Sequence, residues 1–449
     1  MTLKKTVIYL LALLCLCVFL TGCGAEPAAE KIEPVRFANA PELEVDESTA
    51  QLTVVLQSGE TQLLDRLPGL ESCDFSGSEC LDEISLWAEN HPDVDVYYTV
   101  SLPDGTVLDT RSKSADLSQM SGADIRKAAE TLGCLPRLSS INLGKERSSV
   151  SWEDIGVLQE ACPEANCKFA FTLYGKDIEL QNTQINLSHI PVEDGGAAVR
   201  EVMAYMPNLT YLDMDSCGVS NEDMAAIRDA YPEIKVVWRI WFGDRLSYSV
   251  RTDVERILAS KSSVGGFVYG EYAEPLKYCT EVKYLDLGHN PLMTDISFVS
   301  YMPKLEVAIL AMGSWSDASP LASCPELEYL EMQTTQCTDL SPLSGLKKLR
   351  HLNIACITSL TDISPLYALT ELERLWLGSN NMVSWEQVDQ MQKAAPNCEI
   401  NTSVYDDPTG EQWRYNGEGT WNYRYYVLRK QFDGYESSAF SFTWNDPLY

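Results

Sequence analysis

Along the second half of the chain, apolar residues recur in a single frame. Residues 361 to 381 read TDISPLYALTELERLWLGSNN, with leucine at 366, 369, 372, 375 and 377 and a closing pair of asparagines. Taking Leu372 as position 1, the frame is apolar at positions 1, 4 and 6 and polar at position 9. It recurs upstream from Leu209 (LTYLDMDSCGV), Val282 (VKYLDLGHNPL), Leu305 (LEVAILAMG), Leu327 (LEYLEMQTTQC) and Leu349 (LRHLNIACI). From Val282 onward the steps are 23, 22, 22 and 23 residues, the mark of a stacked repeat. The alternation places the leucines on one face of a short strand and leaves positions 3 and 5 on the other. One such strand cannot bury its face alone, so neighbours must stack in parallel.

A longer period runs through the first half, where Leu67, Leu138, Leu209 and Val282 stand 71, 71 and 73 residues apart. Inside each long unit a proline closes a helical pattern and opens an apolar alternation: HPDVDVYYTV from His91, CPEANCKFAFTL from Cys162 and YPEIKVVWRIWF from Tyr231. APNCEI from Ala395 echoes it after the last frame. Each long unit is therefore expected to hold two strand-and-helix modules. Periodicity predicts helices in SWEDIGVLQEA, NEDMAAIRDA and WEQVDQMQKAA, with serine caps at Ser121, Ser151, Ser220 and Ser384. The 22-residue units instead carry D-x-S-P-L at Asp317, Asp339 and Asp362, which predicts a tight turn and at most a short helix.

On these residues the chain resembles a bacterial leucine-rich repeat surface lipoprotein. The block from 282 to 381 is similar to the internalin repeats with their T-D-[IL]-S-P-L turns, and the upstream units look like a degenerate longer type. The resemblance implies an α/β solenoid with a curved parallel β-sheet on the concave side and helices and turns on the convex side. It departs from the family at position 9. Only Asn290 and Asn380, with Cys217, satisfy the asparagine ladder, and Gly313, Thr335 and Ile357 break it. The implied organisation is a leader over 1–22, a lipidated cysteine and flexible tether over 23–50, helix-bearing repeats over 51–281, regular repeats with a closing module over 282–402, and an aromatic-rich cap over 403–449.

The N-terminus supplies an address. MTLKKTVIYLLALLCLCVFLTGC places two lysines before an apolar run from Thr6 to Leu20 that is too short to span a bilayer and reads as a signal peptide. Its end, Leu20-Thr21-Gly22-Cys23, resembles the lipobox, in which the cysteine is diacylated and becomes the new N-terminus. This makes Cys23 the lipidation site and implies an extracytoplasmic protein held on the outer face of the bacterial membrane by lipid alone. As a flexible coil, the stretch up to residue 50 reaches roughly 25 to 30 Å.

The formal charge of −31 becomes −33 once Lys4 and Lys5 leave with the leader, which disfavours nucleic acid and anionic lipid surfaces as partners. Eleven cysteines follow Cys23, so they cannot all pair within one chain. Cys279 and Cys324 fall where other repeats carry Met206, Met302, Leu346 and Leu369, as expected of small core residues. Cys73 with Cys80 is a candidate disulfide, whereas Cys162 and Cys167 lack a second ligand pair for a metal. Of the histidines, His91 occupies the helix-end slot that Cys162, Tyr231 and Ala395 fill elsewhere. His289 and His351, three repeats apart, stand about 15 Å from one another and cannot form a dyad. No nucleophile elbow, zincin motif, phosphate loop or glycine fingerprint is present. The sequence thus points to no catalytic residue, metal or cofactor.

Display remains. Position 3 carries Tyr211, Tyr284, Val307, Tyr329, His351 and Arg374, and position 5 carries Asp213, Asp286, Ile309, Glu331, Asn353 and Trp376. Tyrosine, tryptophan and arginine on a concave surface are the residue types that dominate binding hot spots. Tyr211, Asp213, Tyr284, Asp286, Tyr329, Glu331, His351, Arg374 and Trp376 are therefore expected to be exposed and to bind a partner, in the first place a protein. The tail carries Trp413, Tyr415, Trp421, Tyr423, Tyr425, Tyr426, Phe432, Tyr435, Phe440, Phe442 and Trp444. It is expected to cap the last repeat, or alternatively to form an aromatic platform for cell-wall glycan.

Overall fold

The computed structural model describes residues 34–246, 248–260, 268–380, 382–403 and 413. By contacts the chain divides into two compact units, residues 1–115 with 126–139, and residues 116–125 with 140–449. Cys23 and the leader lie outside the described residues, as does the tail apart from Ser403 and Trp413. Among the described residues no helix is long and apolar enough to cross a membrane.

In the first unit, Gln51–Thr53, Ser72–Asp74 and Asp95–Tyr97 form a parallel sheet in that order. Two features differ from the sequence reading. Residues assigned to the tether form an antiparallel pair, Val35–Phe37 with Ala40–Val45, because Val35, Phe37 and Val45 alternate inward and are buried. The frame also begins at Leu70, since the strand Ser72–Asp74 opens two residues later, just as the strand opening at Tyr329 follows Leu327. Leu67 occupies the preceding slot of Leu346 and Leu369, and all three are buried.

The second unit opens with the parallel strands Ser140–Lys145 and Asn166–Leu173, the latter continuing into an antiparallel pair with Lys176–Glu179. Gln184–Asn186, Tyr211–Asp213 and Lys235–Val237 follow as a parallel triple. An antiparallel hairpin, Arg239–Phe242 with Tyr248–Arg251, comes next. The triple-then-hairpin order matches the first unit, where Thr99–Ser101 pairs with Val107–Asp109. A complete long unit therefore contributes three ladder strands rather than two modules, and its proline-led alternation is long enough to supply both a ladder strand and the first arm of a hairpin.

Seven parallel strands complete the unit: Arg256–Leu258, Tyr284–Asp286, Val307–Ile309, Tyr329–Glu331, His351–Asn353, Arg374–Trp376 and Glu399–Asn401. Position 4 forms an unbroken buried column through Leu285, Ala308, Leu330, Leu352 and Leu375. The expected helices are present at Trp152–Ala161, Asn221–Ala230 and Trp385–Ala394. Ser151, Ser220 and Ser384 each accept the amide three residues on, and Ser121 does the same for Asp124 at 3.3 Å. In the short repeats Asp317, Asp339 and Asp362 each accept the amide of the serine two residues later, at 2.8 to 2.9 Å, and a single 3-10 turn follows.

Two regularities of the turn are invisible to hydrophobic patterning. Position 8 is left-handed in the frames from Leu209, Val282, Leu305, Leu327, Leu349 and Leu372 (Ser216, His289, Met312, Thr334, Cys356 and Ser379, φ between 57° and 63°), although none of these is glycine. Its amide donates to the next repeat, as His289 does to Ala311, Met312 to Gln333 and Thr334 to Ala355, so stacking offsets the local strain. The broken ladder is also repaired. Asn290 Nδ2 donates to the Leu287 carbonyl, and in the next two repeats Trp315 Nε1 and Thr335 Oγ1 donate to the equivalent carbonyls of Leu310 and Met332. Ile354, whose own repeat carries Ile357, has its carbonyl met by Asn380 of the following repeat at 2.7 Å.

Candidate functional site: the concave face

The position-5 acids are the first to change meaning. Asp213 and Asp286 are buried, and each turns one oxygen onto the amide two residues later, Asp215 at 2.9 Å and Gly288 at 3.0 Å. Asn353 does the same for Ala355 at 3.1 Å. A short acceptor at this point satisfies a turn amide that the sheet leaves over, so the column serves the fold before any ligand.

Tyr211 and Asp213 belong to the three-stranded sheet, and the Arg239–Phe242 hairpin supplies them with cations. Arg251 donates to Asp213 at 3.0 Å, to the Tyr211 hydroxyl at 2.8 Å and to Asp253 at 3.1 Å. Arg239 grips Asp215 through both Nε and Nη2 at 2.9 Å. Burial acts to raise the Asp215 carboxyl, but hydrogen bonds from Arg239 and Ser216 outweigh it and hold the group below the usual carboxylate range. Tyr284 is half-buried and its hydroxyl bonds Glu306 at 3.1 Å.

The remaining five residues converge, but not as an open surface. Tyr329, Glu331, His351, Arg374 and Trp376 are each at most 5% exposed, which corrects the expectation that they are displayed. The reason is Trp413, itself fully buried, whose indole lies against them. Trp413 Nε1 donates to the Tyr329 hydroxyl at 2.5 Å and to Glu331 Oε1 at 3.1 Å, and Tyr329 in turn donates to Glu331. The Arg374 guanidinium stands 4.5 Å from the Trp413 ring centre and 4.9 Å from that of Trp376, while donating to the Trp413 carbonyl at 3.1 Å and to Glu399 at 3.3 Å. The Trp376 and Tyr329 rings approach Trp413 to 5.5 Å, and His351 meets it edge-on at 6.3 Å. Val307, Ile309 and Ala355 complete the apolar floor.

Two buried donors in this cluster have no acceptor among the described residues, Asn353 Nδ2 and Trp376 Nε1; Gln333 Oε1 has no donor. Asn353 and Trp376 are register partners on adjacent strands, so their side chains stand about 5 Å apart at the backbone.

The other sequence candidates resolve simply. Among the described residues no cysteine is in a disulfide, Cys73 and Cys80 included, and ten of the eleven are buried. Burial pushes the Cys73 and Cys324 thiols up to about 12 and those of Cys167 and Cys337 to about 11. His91, Cys162, Tyr231 and Ala395 each close a helix, and His91 adds a ring stacked on Trp87 at 4.1 Å. Among the described residues no group of three or more histidine, cysteine or acidic side chains could hold a metal ion. Sequence reasoning missed Asn353 as a site residue, since it reads as one more polar strand position, and placed Trp413 in the cap.

No family model and no curated protein matches the sequence. Among solved structures, an internalin of Listeria monocytogenes is 17% identical, with 80% of this chain and 82% of that one covered and a TM-score of 0.31. A leucine-rich repeat protein of Leptospira interrogans is 16% identical over 80% and 95%, also at 0.31. An internalin C2 of Listeria monocytogenes is 16% identical over 63% and 92%, at 0.25. The deciding observations are internal to the chain: the 22-residue frame, the parallel register and the position-9 ladder. The fold is a leucine-rich repeat solenoid. In its repeats, sequence variation at positions 3 and 5 changes the concave surface without touching the leucine column, and the cluster around Trp413 is built from those positions.

Proposed function

We propose that this leucine-rich repeat chain is a non-enzymatic recognition protein of the cell surface, anchored through Cys23, that binds a protein partner on the concave face of its seven-stranded sheet. The observation that carries the reading is that Tyr329, Glu331, Arg374 and Trp376 all meet at Trp413, with Asn353 beside Trp376 in register, and that two buried donors there have no acceptor among the described residues. Fold economy does not require such an arrangement. A buried donor without an acceptor costs about 1–3 kcal/mol, and a purely structural face would carry apolar residues there. Aromatic and arginine side chains in a desolvated centre are the composition of a binding hot spot. A long curved sheet also suits extended contact with a polypeptide better than a closed small-molecule pocket does.

The test is capture from wall and secreted fractions by the soluble 24–449 protein, compared with Trp376→Phe and Asn353→Leu. Trp376→Phe removes only the unpartnered N–H and part of the ring, so the solenoid remains folded. A polypeptide held by the unaltered protein and lost from both variants supports the reading. Equal capture by all three removes the concave face from the function.

A further inference from the structure

We propose that the concave cluster is a tryptophan-binding site, filled in cis by Trp413, and that the partner engages it by inserting a tryptophan of its own. The inference rests on the concave-face reading above and names the group that is recognised. The contacts made to Trp413 are specific for an indole. Its N–H is received by both Tyr329 and Glu331, a demand no phenylalanine or leucine meets, and tyrosine would have to place its hydroxyl where an indole edge now lies. Its face is covered by the Arg374 guanidinium, and the Trp376 and Tyr329 rings lie against it at 5.5 Å.

These contacts join residues 82 and 84 positions apart, so Trp413 reaches the site as a tethered guest and not as a member of the repeat. A tethered guest competes at a local concentration of order millimolar, which free indoles do not overcome. A polypeptide can, because the site is not saturated by its resident. Asn353 Nδ2 and Trp376 Nε1, both buried, lack acceptors among the described residues. A tryptophan arriving in an extended segment brings backbone carbonyls that meet those donors, giving the partner bonds that Trp413 leaves unmade.

The test uses the full 24–449 protein with N-acetyltryptophanamide as probe and N-acetylleucinamide as control, titrated calorimetrically. Trp413→Ala empties the site and Trp413→Phe keeps a ring but removes the N–H. The tryptophan amide should bind Trp413→Ala at least tenfold more tightly than it binds the unaltered protein, Trp413→Phe should lie between, and the leucine amide should bind none of them. Should Trp413→Ala fail to fold, Trp413→Phe carries the test alone and must bind the probe more tightly than the unaltered protein does. Equal or undetectable probe binding across the series overturns the proposal. If that occurs while capture of a polypeptide still depends on Trp376 and Asn353, the tryptophan inference falls and the concave-face reading stands. If capture is independent of both residues, the two fall together.

Discussion

At the scale of single residues, the solenoid keeps a function while changing the residue that performs it. Gly313 stands where an asparagine amide is expected, and the space its missing side chain leaves is filled by Trp315, whose indole caps the Leu310 carbonyl instead. A Cβ at Gly313 would sit 2.6 Å from Trp315 Cδ1 and 3.0 Å from Nε1. Gly313→Ala should therefore displace the indole and cost about 1–3 kcal/mol, read as a lower denaturation midpoint with an unchanged denaturant slope. The thiols give a second check. Burial raises thiols such as those of Cys73, Cys324 and Cys398 far above neutral pH, so few should react quickly with a thiol reagent in the native protein, and all eleven should react after unfolding without reductant. A shortfall of two on unfolding would mean that Cys73 and Cys80 pair after all. The cysteines were legible as core residues because their frame positions are those of methionine and leucine elsewhere. The burial of Trp376 was not, since a strand position with an outward parity reads as exposed whatever folds over it.

At the scale of elements, spacing specifies what is local. The serine caps, the Asp-x-Ser turns and the strand opening two residues after each frame start all follow from neighbours within a few residues. The hairpins do not, because a continuous apolar alternation such as VVWRIWF contains no signal for where a parallel ladder strand ends and an antiparallel arm begins. The left-handed position 8 is hidden for a related reason: its occupants include methionine, threonine and cysteine, which carry no turn signature. The Arg239–Phe242 hairpin is tied to the adjoining strand through ion pairs, and this gives a pH signature. Asp215 has its pKa lowered in the folded state, so its contribution is complete above the ordinary aspartate range and is lost as pH falls through the depressed value. Asp215→Asn should be less stable than the unaltered protein at pH 7, and the gap should begin to narrow below about pH 4 in thermal melts. A gap that persists unchanged to pH 3 would mean that the Arg239 pair contributes nothing through charge.

At the scale of the molecule, the regular repeats were the most legible part, since each frame from 282 onward, apolar at positions 1, 4 and 6, fixes both a strand and its register to the next. The upstream units were legible in kind but displaced by three residues in the first, where Leu67 and Leu70 offer the same spacing to two alternative frames. The site itself was half legible. Its five outward side chains could be read from parity, but the sixth member, Trp413, comes from beyond the strand Glu399–Asn401 and reaches a strand more than 80 residues earlier, a contact no local pattern encodes. That contact turns an open concave surface into a filled one and moves the functional question from what the face displays to what it accepts. The most direct measurement is the affinity of the captured polypeptide for the unaltered protein, for Trp376→Phe on the concave strands and for Trp385→Ser, an exposed position at the start of the helix Trp385–Ala394. A tenfold or greater loss in Trp376→Phe with no change in Trp385→Ser is the predicted result. Undiminished affinity in Trp376→Phe, or a loss confined to Trp385→Ser, would contradict recognition through the concave face.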